Sequence, residues 1–290
     1  MLEINSPVRE RWLLRLLKTS SLANFLYMNN IHVHPGAAIS ADVTIEQFSY
    51  IAENVEIGEG TWIGPHVTIL DYVKIGKNCK IFPGAIIGGT PQDYKFGGEI
   101  SYVEIGDNTM IRECVTINRG TAAGRGKTVI GNDCMIMAYS HIAHDCIVGN
   151  HVIMVSYVGL GGYSEVGDYA NIGGHTAIHQ FSRIGAHSML SGGSMVNKDI
   201  PPYSLIGHRP IAFFNLNLIG LRRRGFTKEQ IDRISQIYHV LYRSGLNISD
   251  ACNKIITEIP DSYEKNFIME FIKSSKRGIV KRTTSSSSDE

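Results

Sequence analysis

The chain has 290 residues, 43% of them apolar, with 28 Lys and Arg against 27 Asp and Glu. That length buries a sizeable core in one large domain or two smaller ones, and the composition excludes a disordered chain. A net charge of +1 argues against a generally basic nucleic-acid binder, and no apolar run approaches the roughly 20 residues a bilayer span needs. The five cysteines (Cys79, Cys114, Cys134, Cys146, Cys252) are odd in number and form no CxxC pair. A disulfide scaffold or structural zinc is thereby disfavoured, and a reducing, cytoplasmic setting fits.

Residues 1–30 read as an N-terminal extension. Arg9, Arg11, Arg15 and Lys18 between leucines suit an amphipathic helix lying on a membrane or on the end of the fold. Equally, Met28 could be the physiological start, because a repeat begins directly after Asn30.

From Val33 a large apolar residue recurs every six: Ile39, Ile45, Ile51, Ile57, Ile63, Ile69, Ile75, Ile81, Ile87. The count resumes at Ile105, Ile111 and Ile117, then, shifted by one, runs from Ile130 to Val196. Two residues earlier in each hexad stands a small or β-branched residue such as Ser49, Thr61, Cys79, Cys134, Ser140 or Cys146. Residues two apart on a strand share a face, so both point inward, and a period of six is not helical. Gly follows the large residue in Ile130-Gly131, Val148-Gly149, Val166-Gly167 and Ile184-Gly185, which are 18 apart. Three short strands and three corners thus make one triangular coil, and stacked coils make a prism. The segments 88–104 and 118–129 break the pattern and are expected to be loops leaving it. The pattern resembles the hexapeptide-repeat family, and that resemblance implies a left-handed parallel β-helix over 31–200, a hand that spacing alone cannot give.

After Pro201-Pro202 the repeat stops and residues 201–280 read as a helical domain. Thr227-Lys228-Glu229-Gln230 is a capping box opening a helix with Ile231, Ile234, Ile237, Tyr238 and Leu241 on one face and a stop at Gly245. Ser249 is expected to open a second helix, closed by Pro260, and Asp261-Ser262 a third. The Ser/Thr-rich segment 281–290 is expected to be a disordered tail.

The repeat also sorts the reactive side chains. Cys146 follows a His-rich stretch, but its register makes it a buried small residue rather than a nucleophile. His141 and His144 lie off the inward positions. One coil above His144 is Gly162, and two coils above the same edge is His179, beside Gln180. A lone surface histidine is usually just solvated; clustering on one edge is not expected of solvated surface residues. An imidazole near pH 7 can accept an alcohol proton, and Asp145 could fix its tautomer if the chain turns a corner there. Gly162 could offer its N–H to an oxyanion. A base and an oxyanion donor without a Ser or Cys nucleophile suggest direct acyl transfer to a hydroxyl. Zinc held by His141-x-x-His144, as in carbonic-anhydrase-like relatives of the repeat, is the rival chemistry, but their ligand spacing is wider, so no metal is expected.

Several ordered stretches then carry a closer resemblance: Pro91-Gln92-Asp93-Tyr94-Lys95, Ile111-Arg112-Glu113, Val115 to Gly120, His141 to Cys146, Gly173 to Phe181, Asp199 to Tyr203, and Gly220 to Phe226. Together they resemble the bacterial UDP-N-acetylglucosamine O-acyltransferase family of lipid A synthesis. The resemblance implies transfer of an (R)-3-hydroxyacyl chain from acyl carrier protein to the glucosamine 3-hydroxyl of UDP-GlcNAc. It implies a homotrimer with the site between neighbouring prisms, no cofactor beyond the donor's own phosphopantetheine, no nucleic acid and no membrane span. His144 matches the general base, Asp145 its orienting partner and Gly162 the oxyanion donor. Asp93 and His141 match residues that bind the sugar, Gln92 and Lys95 match further substrate-binding positions, and His179, Gln180, Asn217, Arg223 and Arg224 match the nucleotide side. Gly192 matches a position that sets acyl length, with room for a longer chain. Tyr163, Ile219 and Ser156-Tyr157 depart from the family pattern, and leave open whether the acceptor is UDP-GlcNAc or its 3-amino analogue. An acetyl-CoA-dependent sugar acetyltransferase and a non-catalytic or carbonic-anhydrase-like protein are the competing readings.

Overall fold

The structure, a computed structural model, describes residues 30–207 and 210–282. The readings of the amphipathic N-terminus and of the tail beyond 282 lie outside the described residues.

From His32–Val33 up to Ala177–Ile178, each strand pairs in parallel with the third strand after it: His32–Val33 with Tyr50–Ile51, and that with Thr68–Ile69. Pairing at this interval sorts the strands into three sheets, of nine, eight and ten strands among the described residues. The sheets are the three faces of a prism. Taken in the order a coil visits them, the first face contains His32–Val33, the second Ala38–Ile39 and the third Thr44–Ile45. An uninterrupted coil takes 18 residues, as the register Ile136↔Met154↔Ile172↔Leu190 requires.

The six-residue apolar series fills the interior. Ile51, Ile69, Ile87, Ile117 and Ile142 are all 0% exposed, and burying a side chain of this size contributes roughly 1.5–3 kcal/mol. The small inward positions have a second task. Thr61 Oγ1 donates to Gly76 O at 2.9 Å, and Thr109 Oγ1 to Gly131 O at 2.8 Å. Cys79, Cys134 and Cys146 do the same through Sγ, to Gly106 O, Gly149 O and Gly161 O. A short donor here ties its coil to the next, which explains why Ser, Thr and Cys interchange at this position. Burial pushes the Cys146 thiol up to about 12, so it carries no thiolate at neutral pH.

Most corners place one residue in the left-handed region, a conformation that costs a non-glycine residue about 1–2 kcal/mol. The columns of side chains above these residues supply compensation. Between the third and first faces, Tyr139, Tyr157 and His175 stack at 5.0 and 4.7 Å. Between the second and third faces the rings are His151, Tyr169, His187 and Tyr203.

The strands run further into both interruptions than the hexad count predicts. Ile86–Gly89 and Tyr102–Ile105 bracket the first loop, Thr116–Asn118 and Lys127–Ile130 the second. Tyr102↔Lys127 and Glu104↔Val129 pair across neighbouring coils, and ladder hydrogen bonds recruit these residues despite their broken hydrophobic pattern. The loops proper are 90–101 and 119–126.

Two strands the sequence reading missed follow the prism. Ser204–Gly207 extends the third face, and Ala212–Leu216 folds back antiparallel to it. Four helices follow: α1 (Leu218–Arg223), α2 (Lys228–Arg243), α3 (Ile248–Glu258) and α4 (Tyr263–Lys273). The capping box at Thr227 and Gln230 is formed in both directions. The second helix starts not at Ser249 but after Asn247, whose side chain accepts from Asp250 N at 3.0 Å. Asparagine is as good a cap as serine, and it comes first. Lys281 and Arg282 also leave the expected tail, because Phe213 N donates to Lys281 O and Phe213 pairs with Arg282.

Candidate active site

Between the first and second faces the turns at 143–146, 161–164 and 179–182 stack through the register Ile142↔Leu160↔Ile178. His144, Gly162 and Gln180 therefore occupy successive steps of one edge. One coil below, where Ile117 pairs with Ile142, the loop 119–126 leaves the prism. A further coil down, where Ile87 pairs with Ile117, the loop 90–101 leaves it, carrying Gln92, Asp93 and Lys95.

Asp145 is the left-handed residue of its corner, with φ 58°. That turn lets a residue adjacent to His144 face it, with His144 Nδ1 2.9 Å from Asp145 Oδ2. The Asp145 side chain is fully buried, and His144 is only 8% exposed. A buried carboxylate needs donors, and the loop 119–126 supplies them. Thr121 N lies 3.2 and 3.1 Å from the two carboxylate oxygens, Thr121 Oγ1 donates at 2.7 Å and Arg125 N at 2.7 Å. The loop approaches so closely that a Cβ on Gly124 would lie 2.4 Å from the carboxylate. Arg125 Nη1 also donates to Asp145 O at 2.6 Å, and its Nη2 to Glu165.

With Nδ1 committed to Asp145, Nε2 is the free face of His144. A Cβ on Gly162 would stand 2.7 Å from it, so a larger residue there would displace the ring. Among the described residues no acceptor takes the Gly162 N–H. A base nitrogen and an unspent amide thus lie side by side, at the spacing of neighbouring coils.

His141, three residues earlier on the first face, lies with Nδ1 2.7 Å from Thr116 Oγ1. Burial, and then the neighbouring His144, lowers its pKa, which favours a neutral ring. His179 and Gln180 are exposed on the same edge, His179 Nδ1 lying 3.0 Å from Gln180 O. Asp93 makes a tight turn, accepting from Lys95 N at 3.0 Å, with Tyr94 fully exposed at its tip. The two loops are docked on each other: Glu99 accepts from Ala122 N at 3.0 Å, and that bond lowers the pKa of its carboxyl. Asn118 Nδ2 donates to Thr90 O at 2.9 Å.

The remaining candidates lie elsewhere in the chain. Asn217, Arg223 and Arg224 line a pocket of about 660 Å³ on the third face, with Ile153, Asn171 and Met189 beneath them. Asn217 is occupied at both ends, capping α1 and donating to His187 O at 2.9 Å. Arg224 turns inward over the Tyr169 ring and donates to Tyr169 O at 2.8 Å, leaving Nη1 buried without a partner among the described residues. Gly192 is exposed at the corner between the third and first faces. Within one chain, therefore, the candidates form three groups and not one. Among the described residues, no three His, Cys, Asp or Glu side chains converge as a metal site would require.

Sequence reading missed Thr121, Arg125 and the place of Tyr163. The available signal was the insertion itself, which interrupts the repeat in the coil directly beneath His144.

The chain matches the family model for UDP-N-acetylglucosamine O-acyltransferase domain 2 over residues 199–280, and the bacterial transferase hexapeptide model over 54–89 and 127–162. The acyl-[acyl-carrier-protein]–UDP-N-acetylglucosamine O-acyltransferase of Thermodesulfovibrio yellowstonii is 45% identical over 258 residues, covering 88% of this chain and all of the relative. The chain belongs to the UDP-N-acetylglucosamine O-acyltransferase family. A Syntrophobacter fumaroxidans protein of the same name is 42% identical, covering 87% of this chain and all of that one. Among solved structures, the UDP-N-acetylglucosamine acyltransferase of Bacteroides fragilis superposes with a TM-score of 0.85 at 47% identity, covering 87% of this chain and 98% of that one. The Francisella novicida enzyme gives 0.86 at 41%, covering 90% and 95%. The fold shared with this family is the left-handed parallel β-helix followed by helices, and the family is one of acyltransferases.

Proposed function

We propose that the protein transfers an (R)-3-hydroxyacyl chain from acyl carrier protein to the 3-hydroxyl of UDP-GlcNAc. The observation that carries the reading is the His144–Asp145 pair with its free Nε2 beside the unspent Gly162 amide, in a chain 45% identical to a relative named for this reaction. His144 Nε2 takes the proton of the sugar hydroxyl as its oxygen attacks the thioester carbonyl. The carbonyl π electrons move onto oxygen, where the Gly162 N–H receives the developing charge. Collapse of the adduct breaks the C–S bond, and the imidazolium returns the proton to the departing thiolate. Asp145 holds the tautomer and stabilises the imidazolium. No residue forms a covalent intermediate, consistent with a buried, protonated Cys146.

Asp93 and His141 serve the sugar, with Gln92 and Lys95 as further substrate contacts on the same loop as Asp93, and His179, Gln180, Asn217, Arg223 and Arg224 serve the nucleotide side, where Arg223 is exposed and suits a diphosphate. The separation of these groups within one chain favours a homotrimer. Outward on the third face stand Met110, Met135, Ile153 and Met189, interrupted by Asn171, and on the first Ile86, Gly159, Ala177 and Met195 beside Thr116 and His141, whereas the second face carries Glu56, Lys74, Glu104, Glu165 and Arg183. Two unlike faces with apolar patches, next to one charged face, suit a heterologous contact that closes as a ring. In such a ring the His144 edge of one chain lies against a different surface of its neighbour. The acyl donor needs no cofactor of the enzyme's own. No helix among the described residues is long and apolar enough to cross a membrane; the proposed substrates, a nucleotide sugar and an acylated carrier protein, are water-soluble and suit a cytoplasmic enzyme.

The test is turnover of hydroxyacyl carrier protein with UDP-GlcNAc. His144→Ala should lower kcat by about 10²–10⁴-fold while the trimer persists in size-exclusion chromatography. Wild-type turnover retained in this variant would remove His144 as the base.

A further inference from the structure

We infer that Tyr163 is a positioning residue for the general base, acting through Thr121 on Asp145. The inference rests on the proposed reaction for its kinetic consequence and on geometry for its existence.

Tyr163 touches His144 directly and reaches Asp145 through Thr121. Its ring meets the His144 imidazole edge-on, with centroids 5.2 Å apart and planes at 85°. Its backbone N–H donates to His144 O at 3.0 Å. Its hydroxyl lies 3.3 Å from Thr121 Oγ1. The direction of that last bond follows from counting protons. Thr121 has one hydroxyl proton, and the ionised Asp145 carboxylate 2.7 Å away can only accept. Thr121 Oγ1 must therefore donate to Asp145, and only its lone pairs remain for Tyr163. The chain of donation runs from Tyr163 O–H to Thr121 Oγ1–H to Asp145 Oδ2, the oxygen that His144 Nδ1–H also meets. Donors in series polarise one another, so the Tyr163 hydroxyl strengthens the threonine bond that fixes the carboxylate.

The ring cannot drift from this place. Tyr163 is in the left-handed region (φ 61°) and stacks on Phe181 at 4.5 Å and 11°. The charged and titratable groups around the pair are His141, Arg125, Cys146 and Tyr163, with Glu165 beyond Arg125. Of these, only Tyr163 contacts both the imidazole and the threonine that holds the carboxylate.

A double-mutant cycle tests the relay. Tyr163→Phe keeps the ring and its stacking and deletes only the hydroxyl; it should lower kcat about 3- to 10-fold, with KM for both substrates within about twofold. Thr121→Val should lower kcat further, by about tenfold or more, and Thr121→Ser should restore it. In the Thr121→Val background, Tyr163→Phe should add nothing, because its only route to Asp145 is gone. Additive losses, an unchanged kcat in Tyr163→Phe, or a loss confined to KM would overturn the inference. A second readout needs no turnover: the His144 Nδ1–H proton resonance in NMR should move in Tyr163→Phe and in Thr121→Val. A resonance that stays in place would overturn the relay even in a fully active enzyme. An inactive wild type whose resonance moves would sink the proposed reaction and leave the relay standing.

Discussion

Two corners of the prism share one backbone geometry and differ in what they do. Between the third and first faces, Tyr139, Tyr157 and His175 occupy left-handed positions and form a plain stack of rings. Between the first and second faces the equivalent column reads Asp145, Tyr163 and Phe181. Tyr163 and Phe181 stack as the other column does, but the lowest member is a carboxylate. No ring lies below it to stack on; the loop 119–126 arrives there instead and satisfies it with backbone and hydroxyl donors. The repeat supplies a rigid corner that turns successive side chains the same way. A single insertion converts one such corner from packing to chemistry.

The most damaging way to break this contrast is to fill the step above the base. Gly162→Ala puts a methyl 2.7 Å from His144 Nε2. The imidazole cannot swing away cheaply, because Asp145 holds Nδ1 and Tyr163 closes its edge. Displacement by even part of an ångström, together with a misaligned amide, should cost about 10²-fold in kcat. The glycine has no positive φ, so the fold should tolerate the change, and an unaltered melting temperature would confirm that the loss is local. Activity within a few-fold of wild type would show that the base approaches substrate from another side.

Much of this was legible in the sequence, for a physical reason. A hexad that must fill a triangular interior repeats its large residue without exception where the coil is regular, so Ile142, Leu160 and Ile178 fix the register and bring His144 and Gly162 together by arithmetic. The insertions were legible only as gaps. What Thr121 and Arg125 do depends on how a loop folds back onto a neighbouring coil, and no periodicity encodes that. The hairpin Ser204–Gly207 and Ala212–Leu216 was missed for a related reason. Phe213, Leu216 and Leu221 bury their side chains against the top of the prism and the helices together, so the segment shows no single period. Arg224 shows the same limit: nothing in a run of three arginines says that the third is pulled inward over Tyr169.

A second perturbation probes the corner of stacked rings, where Gly192 is exposed at the top of the prism. A Cβ there would meet Gly174 O at 3.0 Å, a tight contact that the turn can relieve by a few tenths of an ångström. Gly192→Met should therefore fold and project its side chain outward. Were this surface part of the acyl groove, the variant should favour shorter hydroxyacyl carrier substrates, shifting the ratio of kcat/KM between long and short chains by about tenfold or more. That size corresponds to one or two methylenes denied their apolar contacts. An unchanged ratio would take Gly192 out of chain selection.

The smallest effect should come from the ring stack itself, and it sharpens the comparison most. Tyr157 lies between Tyr139 and His175, with centroids 5.0 and 4.7 Å away, in a left-handed conformation at φ 64°. Tyr157→Ala removes two stacking contacts, worth roughly 0.5–1.5 kcal/mol each beyond burial, and leaves the strained corner without compensation. Its ring is half exposed, so the area lost from the core is modest. The expected outcome is a stability loss of about 1–2 kcal/mol in urea, with Tyr157→Asn recovering part of it because asparagine accepts the left-handed region. The kcat of both variants should stay within about twofold of wild type. A tenfold loss of kcat in Tyr157→Ala with stability intact would mean that the ring stack itself, and not only the Gly192 step above it, faces substrate, and the division between a packing stack and a chemical corner would fail.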